Sequence, residues 1–447
     1  MNLPIHDAAL QYPQHLAFEG VQKISYAELD KRVAQSVRQG LNTGDHIAWC
    51  PRNDVDAFLT FWMLQQQGCV ACPVSHRIPT SQRNELLGQI DARWLPELLK
   101  NEPKSEPNQP TKKTSNEGDR RPATLILSSG STGKPKAIVH TMSAHIESAK
   151  GAAENMPLQP GDRWLWSLPL YHISGLSILV RCAVAGATVI GVPADTRIDA
   201  NLLHQQQVSH LSVVSTQLRR LLDDKQFPSP HLQYVLLGGS SVDPSLVVAA
   251  RQRCTNVFTT YGLTEMASQV TTSDATSDPF TSGRLLTGRE LKINERSDEI
   301  LVRGKTLCMG YYEHGQVQPI VDEQGWFPTR DRGQWNENNQ LIVKGRIDNM
   351  FVSGGENIYP ENIERALLME FDIEQAVVVP VPDDQFGFCP VAFIDGDLPG
   401  NWETRLREQL AGFEIPRKIL AWATTHDGLK VNRKLLQRLA TDQNKGA

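Results

Sequence analysis

The 447-residue sequence predicts an α/β protein. Three observations carry the assignment. Apolar segments of strand length alternate with amphipathic helical segments as far as about residue 270, short glycine-punctuated strands replace them from about Gly283, and a mixed helix-and-strand texture begins after Asp348. The expected architecture is a large N-terminal domain of two doubly wound α/β subdomains plus a small β-barrel-like subdomain, followed by a small α+β C-terminal domain. The boundary divides the chain into 1–347 and 348–447.

The elements follow in order. Ser25 and Glu28 form a capping box that opens a helix with Leu29, Val33 and Val37 on one face and Gly40 as its stop. Residues 46–50 read as a strand, 54–67 as a helix and 69–74 as a second strand after Gly68, which makes a parallel crossover unit. Residues 101–122 hold no aliphatic or aromatic side chain and predict a mobile surface segment. Beyond them, residues 164–168, 187–192, 211–214 and 234–237 read as buried strands separated by helical patterns, a second doubly wound layer. Residues 299–302 and 340–343 are strands of the barrel-like region. Residues 360–370, 375–381, 391–394, 402–410 and 419–423 then read as helix, strand, strand, helix and strand.

Composition excludes several classes of function. With 40% hydrophobic and 21% charged residues and a net charge of -5, the chain reads as a soluble globular protein without general attraction to nucleic acid or anionic lipid. Any anion site must therefore be local. The N-terminus lacks the basic start and apolar core of a secretory signal, and no stretch reaches membrane-span length, so the expectation is a cytoplasmic protein with no stable membrane insertion and no nucleic-acid partner. Its 7 cysteines are scattered, as reduced buried thiols would be. Cys69 and Cys72 form a C-x-x-C, but no second Cys/His pair accompanies them and Pro73 follows directly, which favours a structural strand.

The most informative stretch is LILSSGSTGKPKAIVHT, which begins at Leu125. An apolar approach leads into Ser128, Ser129, Gly130, Ser131, Thr132 and Gly133, where glycines permit close backbone approach and hydroxyls can donate to phosphate oxygens. Lys134 and Lys136 add charge. The nucleotide-binding P-loop is excluded, because it needs four residues between its glycines and a Ser or Thr after its lysine. Taken alone, such a turn is an ordinary solvated loop. Other polar clusters fall at the ends of strand segments, where ligands bind in open α/β sheets. His172 lies between apolar segments, and Gly238 and Gly239 would let a flat ring lie on the backbone. In TTYGLTEMAS, Tyr261 offers an aromatic face, Thr264 a hydroxyl for phosphate and Glu265 a carboxylate for Mg²⁺. Asp331 can accept from paired ribose hydroxyls, Arg346 can reinforce that grip, and Lys430 stands on a glycine-bearing turn.

In this order and spacing the blocks resemble the adenylate-forming superfamily of acyl-CoA synthetases, aryl-acid adenylating domains and luciferases, from about Ser25 to Leu436. The resemblance implies ATP, Mg²⁺ and coenzyme A as cofactors and a small-molecule carboxylic acid as partner; a homo-oligomer is left open. It implies that residues 128–133 and Lys136 hold the ATP phosphates, that Gly239, Tyr261 and Gly262 hold adenine, and that Thr264 meets the α-phosphate. Glu265 would bind Mg²⁺, Asp331 ribose with help from Arg346, and Lys430 would bridge ribose, phosphate and the reacting carboxylate. The C-terminal domain would be mobile, rotating about a hinge at Asp348 so that Ser353, Gly354 and Gly355 approach the pantetheine tunnel. One departure is visible: Thr329, Arg330 and Asp331 stand where the family often has Thr-Gly-Asp.

SLPLYHISGLSI, STQLRRLL and SGGENIYPENIE particularly resemble bacterial CoA ligases acting on o-succinylbenzoate in menaquinone biosynthesis. That resemblance places His172 near the CoA or acyl channel and Thr216, Gln217 and Ser240 around a pocket for an aromatic keto-acid. The alternatives are a CoA ligase for another aryl or medium-chain acid, and a non-catalytic protein that binds nucleotide or acyl-adenylate. The latter needs no adenylation lysine, so Lys430 beside Glu265, Asp331 and Arg346 speaks against it.

Overall fold

The computed structural model describes residues 2–36, 40–96, 120–129, 135–193, 196–239, 243–254, 256–423 and 431–445. Among them, nine strands form one sheet in the order 284–285, 268–272, 257–263, 234–237, 210–213, 163–165, 188–190, 16–19, 23–25. Its centre is parallel, from Leu16–Glu19 across to Val257–Leu263, and antiparallel strands close both edges. A seven-stranded sheet runs 316–318, 310–313, 135–141, 122–129, 70–73, 46–49, 92–94. Its last four strands are parallel and the others antiparallel.

The expected crossover unit is present: Asp54 caps the helix Val55–Gln67, Gly68 ends it at φ 74°, and Val70–Pro73 lies parallel to His46–Trp49. This helix, with Met142–Asn155 and Ile173–Ala185, contributes to a buried cluster that also takes Ile47 and Ile126 from the seven-stranded sheet and Phe18, Trp164 and Val189 from the nine-stranded one. The two sheets therefore share a helical layer.

Two features of the N-terminal part differ from the sequence expectation, and the helix expected over 402–410 ends at Leu406. The helix capped by Ser25 ends at Gln35 rather than reaching Gly40, because Ser36 turns its hydroxyl back onto the Arg32 carbonyl; Leu29 and Val33 are buried, and Val37 lies outside the described residues. The sequence also suggested no strand before residue 46, yet Leu16–Glu19 pairs with Thr188–Ile190, so the N-terminal segment completes the second sheet rather than the first. Tyr26 fixes that crossing, its buried hydroxyl meeting the carbonyls of Cys182 at 2.8 Å and Ala187 at 2.6 Å.

The barrel-like region is a four-stranded antiparallel sheet in the order 289–293, 299–304, 327–335, 341–346. The C-terminal part has its own three-stranded sheet, Gln375–Asp383, Gly387–Asp395 and Lys418–Ala421, with the helix Pro360–Glu370 packed on it, as an α+β unit should. It meets the antiparallel sheet where Arg365 donates to the Val343 carbonyl at 2.9 Å and the Arg332 guanidinium lies 4.0 Å from the Tyr359 ring centroid. Cys69 and Cys72 are buried free thiols within the strand layer, and burial pushes Cys69 up to about 12, which suits a structural role. The segments 101–119, 130–134 and 424–430 lie outside the described residues.

Tyr26→Phe should lower unfolding free energy by about 1–2 kcal/mol, since the single buried hydroxyl proton shared by the carbonyls of Cys182 and Ala187 is lost while packing is kept. Urea denaturation measures it, and an unchanged midpoint would refute the account.

Candidate active site

The parallel strands bring the expected residues to their carboxyl ends. Tyr234–Leu237 runs beside Val257–Leu263 with Leu237 opposite Thr259, so continuing that register brings Gly239 level with Tyr261. Gly239 is exposed at φ 94°. Thr216 and Gln217 open the helix that follows the neighbouring strand His210–Val213, and His172 precedes the helix Ile173–Ala185 with its ring 4.7 Å from that of Tyr171. The Gln217 side-chain oxygen accepts from the Val214 N–H at 3.1 Å, so part of its hydrogen-bonding capacity caps its own helix. Ser240 lies outside the described residues.

The described residues on either side of the expected phosphate loop belong to a hairpin. Pro122–Ser129 pairs antiparallel with Pro135–Thr141, setting Ser128 opposite Lys136 and Ser129 opposite Pro135. Gly130, Ser131, Thr132 and Gly133 lie outside the described residues, but both ends of their connection are held by the ladder. Lys136 donates to the Tyr311 hydroxyl at 3.3 Å, and Tyr311 donates to Glu265 Oε1 at 2.9 Å.

Thr264 and Glu265 belong to a single 3₁₀ turn, Thr264–Met266, after which Ala267 at φ 50° and Ser268 at φ 111° send the chain back as the antiparallel strand Ser268–Thr272. Gly262 is needed for that reversal: a Cβ there would lie 2.2 Å from the Ser268 carbonyl oxygen. The turn is also held by neighbours, His140 Nε2–H donating to the Thr264 carbonyl and the Cys308 N–H to the Glu265 carbonyl, both at 2.7 Å. Burial pushes His140 down to about 4, so it is a neutral donor at physiological pH.

Asp331 and Arg346 face each other across adjacent antiparallel strands. Arg346 Nη1 donates to Asp331 Oδ1 at 2.8 Å, the Tyr261 hydroxyl donates to Oδ2 at 2.7 Å, and Arg346 Nη2 reaches Asp348 Oδ2 at 3.2 Å. Burial opposes the Arg346 charge, but Asp331 and Asp348 outweigh it and hold the pKa above its ordinary value. Tyr261 is only 8% exposed, so its ring belongs largely to the core and its phenol orients Asp331. Burial, then the Asp331 charge, raise its pKa well above the usual tyrosine value. Asp348 lies in the 3₁₀ turn Ile347–Asn349. Ser353, 6% exposed, with Gly354 and Gly355 forms the hairpin before Glu356–Ile358, where the Gly354 N–H bonds the Phe386 carbonyl at 2.9 Å. Lys430 lies outside the described residues.

Glu265 fits Mg²⁺ that arrives on nucleotide phosphates, because Mg²⁺ keeps several waters and takes only one or two carboxylates. It does not fit a resident metal: among the described residues no group of three or more His, Cys, Asp and Glu could hold one.

The sequence reading passed over Tyr311, His140 and Arg181. Arg181 had a visible signal, as a lone charge in the apolar helix ISGLSILVRCAVA. It is 4% exposed, lies 5.4 Å from the Trp164 ring centroid, donates to Ser268 Oγ at 3.3 Å and leaves Nε without a partner. Burial, then the charge of Arg289, lower its pKa to about 9. Arg289, also 4% exposed, spends its donors on the carbonyls of Gln269, Thr287 and Ser148 and on the Ser148 hydroxyl. No carboxylate among the described residues forms an ion pair with either guanidinium.

Residues 5–312 match the family model described as AMP-binding enzyme. The chain belongs to this family. It is 36% identical to the 2-succinylbenzoate–CoA ligase of Salmonella typhimurium, over 90% of this chain and 88% of that protein. It also resembles the o-succinylbenzoate CoA synthetase (MenE) of Bacillus subtilis, at 26% identity. The complex with the acyl-adenylate intermediate OSB-AMP matches with a TM-score of 0.85 over 98% of both chains. The complex with ATP and magnesium ion matches with a TM-score of 0.83 over 97% of this chain and 98% of that one.

The Thr-Arg-Asp departure also has a structural account. Arg330 is exposed and adopts φ 64°, the left-handed conformation that glycine favours, while its N–H donates to Glu299 Oε1 at 3.0 Å. Arg330 therefore holds a backbone conformation that glycine would adopt without strain. Arg330→Gly should raise unfolding free energy by about 0.5–1 kcal/mol and Arg330→Ala should not, as denaturant midpoints would report.

Proposed function

We propose that the chain is an ATP-dependent, AMP-forming acid–CoA ligase whose acid is 2-succinylbenzoate, acting in menaquinone biosynthesis. The single observation that carries the choice of acid is the buried Arg181, a guanidinium with no ion-paired carboxylate among the described residues. 2-Succinylbenzoate has two carboxylates, so while one reacts the other can compensate this charge. The relatives named above act on that acid, and the family membership supports the adenylation chemistry.

A carboxylate is a poor acyl donor, because oxide would have to leave. Activation joins one acid oxygen to the α-phosphorus of ATP as the bond from that phosphorus to the bridging oxygen breaks and pyrophosphate departs. Ser128, residues 129–133 and Lys136 would hold the departing phosphates, with Thr264 at the α-phosphate. Mg²⁺, when bound with ATP, neutralises charge on the phosphate oxygens, and Glu265 is placed to ligate it. Asp331, oriented by Tyr261 and Arg346, offers its carboxylate to the ribose hydroxyls, and Gly239 leaves room for adenine. Lys430 would bridge phosphate and acid.

In the second half-reaction the CoA thiol attacks the acyl carbonyl and AMP leaves. We assign residues 1–347 to the adenylation domain and 348–447 to a mobile C-terminal domain that rotates at Asp348, taking Lys430 out and bringing Ser353, Gly354 and Gly355 towards the thiol. His172, Thr216, Gln217 and Ser240 would border the acid and thiol channels. The described residues contain no helix long and apolar enough to cross a membrane, and the free thiols support a reducing, cytoplasmic setting.

Lys430→Ala should abolish pyrophosphate release from acid and ATP yet spare thioester formation from pre-formed adenylate; equal loss of both would remove its assigned role. For the acid, thioester formation is compared across 2-succinylbenzoate, its two monocarboxylate analogues 3-benzoylpropionate and 2-butyrylbenzoate, benzoate and octanoate. Wild type should prefer the dicarboxylate. Arg181→Gln should lower kcat/KM for it by about two orders of magnitude, and much less for the monocarboxylate that reacts. A preference for octanoate or benzoate would overturn the assignment.

A further inference from the structure

Tyr311 has none of the roles assigned above, yet it stands between two residues that do. Its strand, Gly310–Glu313, pairs antiparallel with Pro135–Thr141, Tyr311 opposite Ile138, and this pairing carries the phenol beside Lys136. The hydroxyl donates to Glu265 Oε1 at 2.9 Å and accepts from Lys136 Nζ at 3.3 Å, and the ammonium stands 4.6 Å from the ring centroid. The same segment also holds the main chain of the turn, through the Cys308 N–H on the Glu265 carbonyl at 2.7 Å.

Lys136 and Glu265 are opposite charges, both half-buried, at either side of one phenol. A direct ion pair between them would satisfy each with the other, and would withdraw the cation from phosphate and the carboxylate from Mg²⁺. The phenol is interposed instead. It occupies one acceptor position of Oε1 and leaves Oε2 open to other ligands.

We propose that Tyr311 is a positioning residue, which keeps Lys136 and Glu265 apart and directs both towards the phosphates of Mg²⁺-bound ATP. This rests on the roles proposed above for Lys136 and Glu265 and concerns how they are arranged. Tyr311 itself contacts neither metal nor phosphate in this assignment. Its effect should therefore appear in nucleotide affinity and metal dependence, and be missing from the thiol half-reaction.

The test is Tyr311→Phe, which keeps the ring and its contact with the ammonium and removes both hydrogen bonds. Isothermal titration without acid should give a Kd for Mg²⁺-ATP raised about five- to tenfold, and half-maximal pyrophosphate release should need correspondingly more Mg²⁺. Thioester formation from pre-formed acyl-adenylate and CoA should match wild type, as should the ligand-free thermal midpoint. In a double-mutant cycle, Tyr311→Phe placed on Glu265→Gln should cost little further affinity, because the tyrosine acts through that carboxylate. A wild-type Kd, fully additive losses in the cycle, or an equal fall in both half-reactions with a lowered midpoint would each overturn the proposal. Should wild type release no pyrophosphate with any acid, the adenylation reading fails instead, and the titration still reports on Tyr311 because it needs no turnover.

Discussion

The junction of the two sheets with the C-terminal unit depends on the cross-strand pair of Asp331 and Arg346. Its carboxylate receives the Arg346 guanidinium on one oxygen and the Tyr261 hydroxyl on the other, and the same guanidinium reaches Asp348. Three parts of the chain meet there: the nine-stranded sheet through Tyr261, the antiparallel sheet through Asp331 and Arg346, and the connection to the C-terminal unit through Asp348. Hydrogen bonds to charged groups contribute about 1.5–3 kcal/mol each when both partners are present. Removing the carboxylate would leave the buried Tyr261 phenol without its acceptor and the half-exposed Arg346 with Asp348 alone, so the pair ties Tyr261 to the connection that leads to the C-terminal unit.

A second framework holds Glu265 and Lys136, built from backbone as much as from side chains. The turn Thr264–Met266 is set by the close approach of Gly262 to Ser268 and held by donors from His140 and Cys308. Glu265 is thereby placed on rigid structure, although it lies between two strands in a turn three residues long. The hairpin ladder does the same for Ser128 and Lys136. Pre-organisation of this kind matters because charge develops on phosphate in the transition state, and fixed donors need no reorganisation as it does so.

At Arg181 the balance is reversed: a buried cation without an ion-pair partner among the described residues is costly to the protein by itself. Arg181 and Arg289 lie close enough for the charge of one to depress the pKa of the other, yet Arg289 spends its donors on carbonyls while Arg181 retains an unpartnered Nε. That difference separates a structural clamp from a group suited to binding.

By itself the sequence determined the α/β class, the change of texture near Gly283 and again after Asp348, and the motifs through which the chain resembles its family. Each of these lies in a contiguous pattern: strand-length apolar runs, capped helices, SSGSTGKPK and YGLTE. What escaped it depends on residues distant in the chain. Leu16–Glu19 crosses to the second sheet because its pairing partner, Thr188–Ile190, is remote in sequence. Tyr311 meets Glu265 only because its strand joins the phosphate hairpin, and Tyr261 turns its phenol to Asp331 only once two sheets converge. Arg181 was visible as a charge in an apolar helix, but the sequence could not say whether a carboxylate would be packed against it. Local propensity and motif spacing act over a few residues and are legible along the chain, whereas burial and the pairing of charges are set by which distant segments come into contact, and tertiary structure alone decides that.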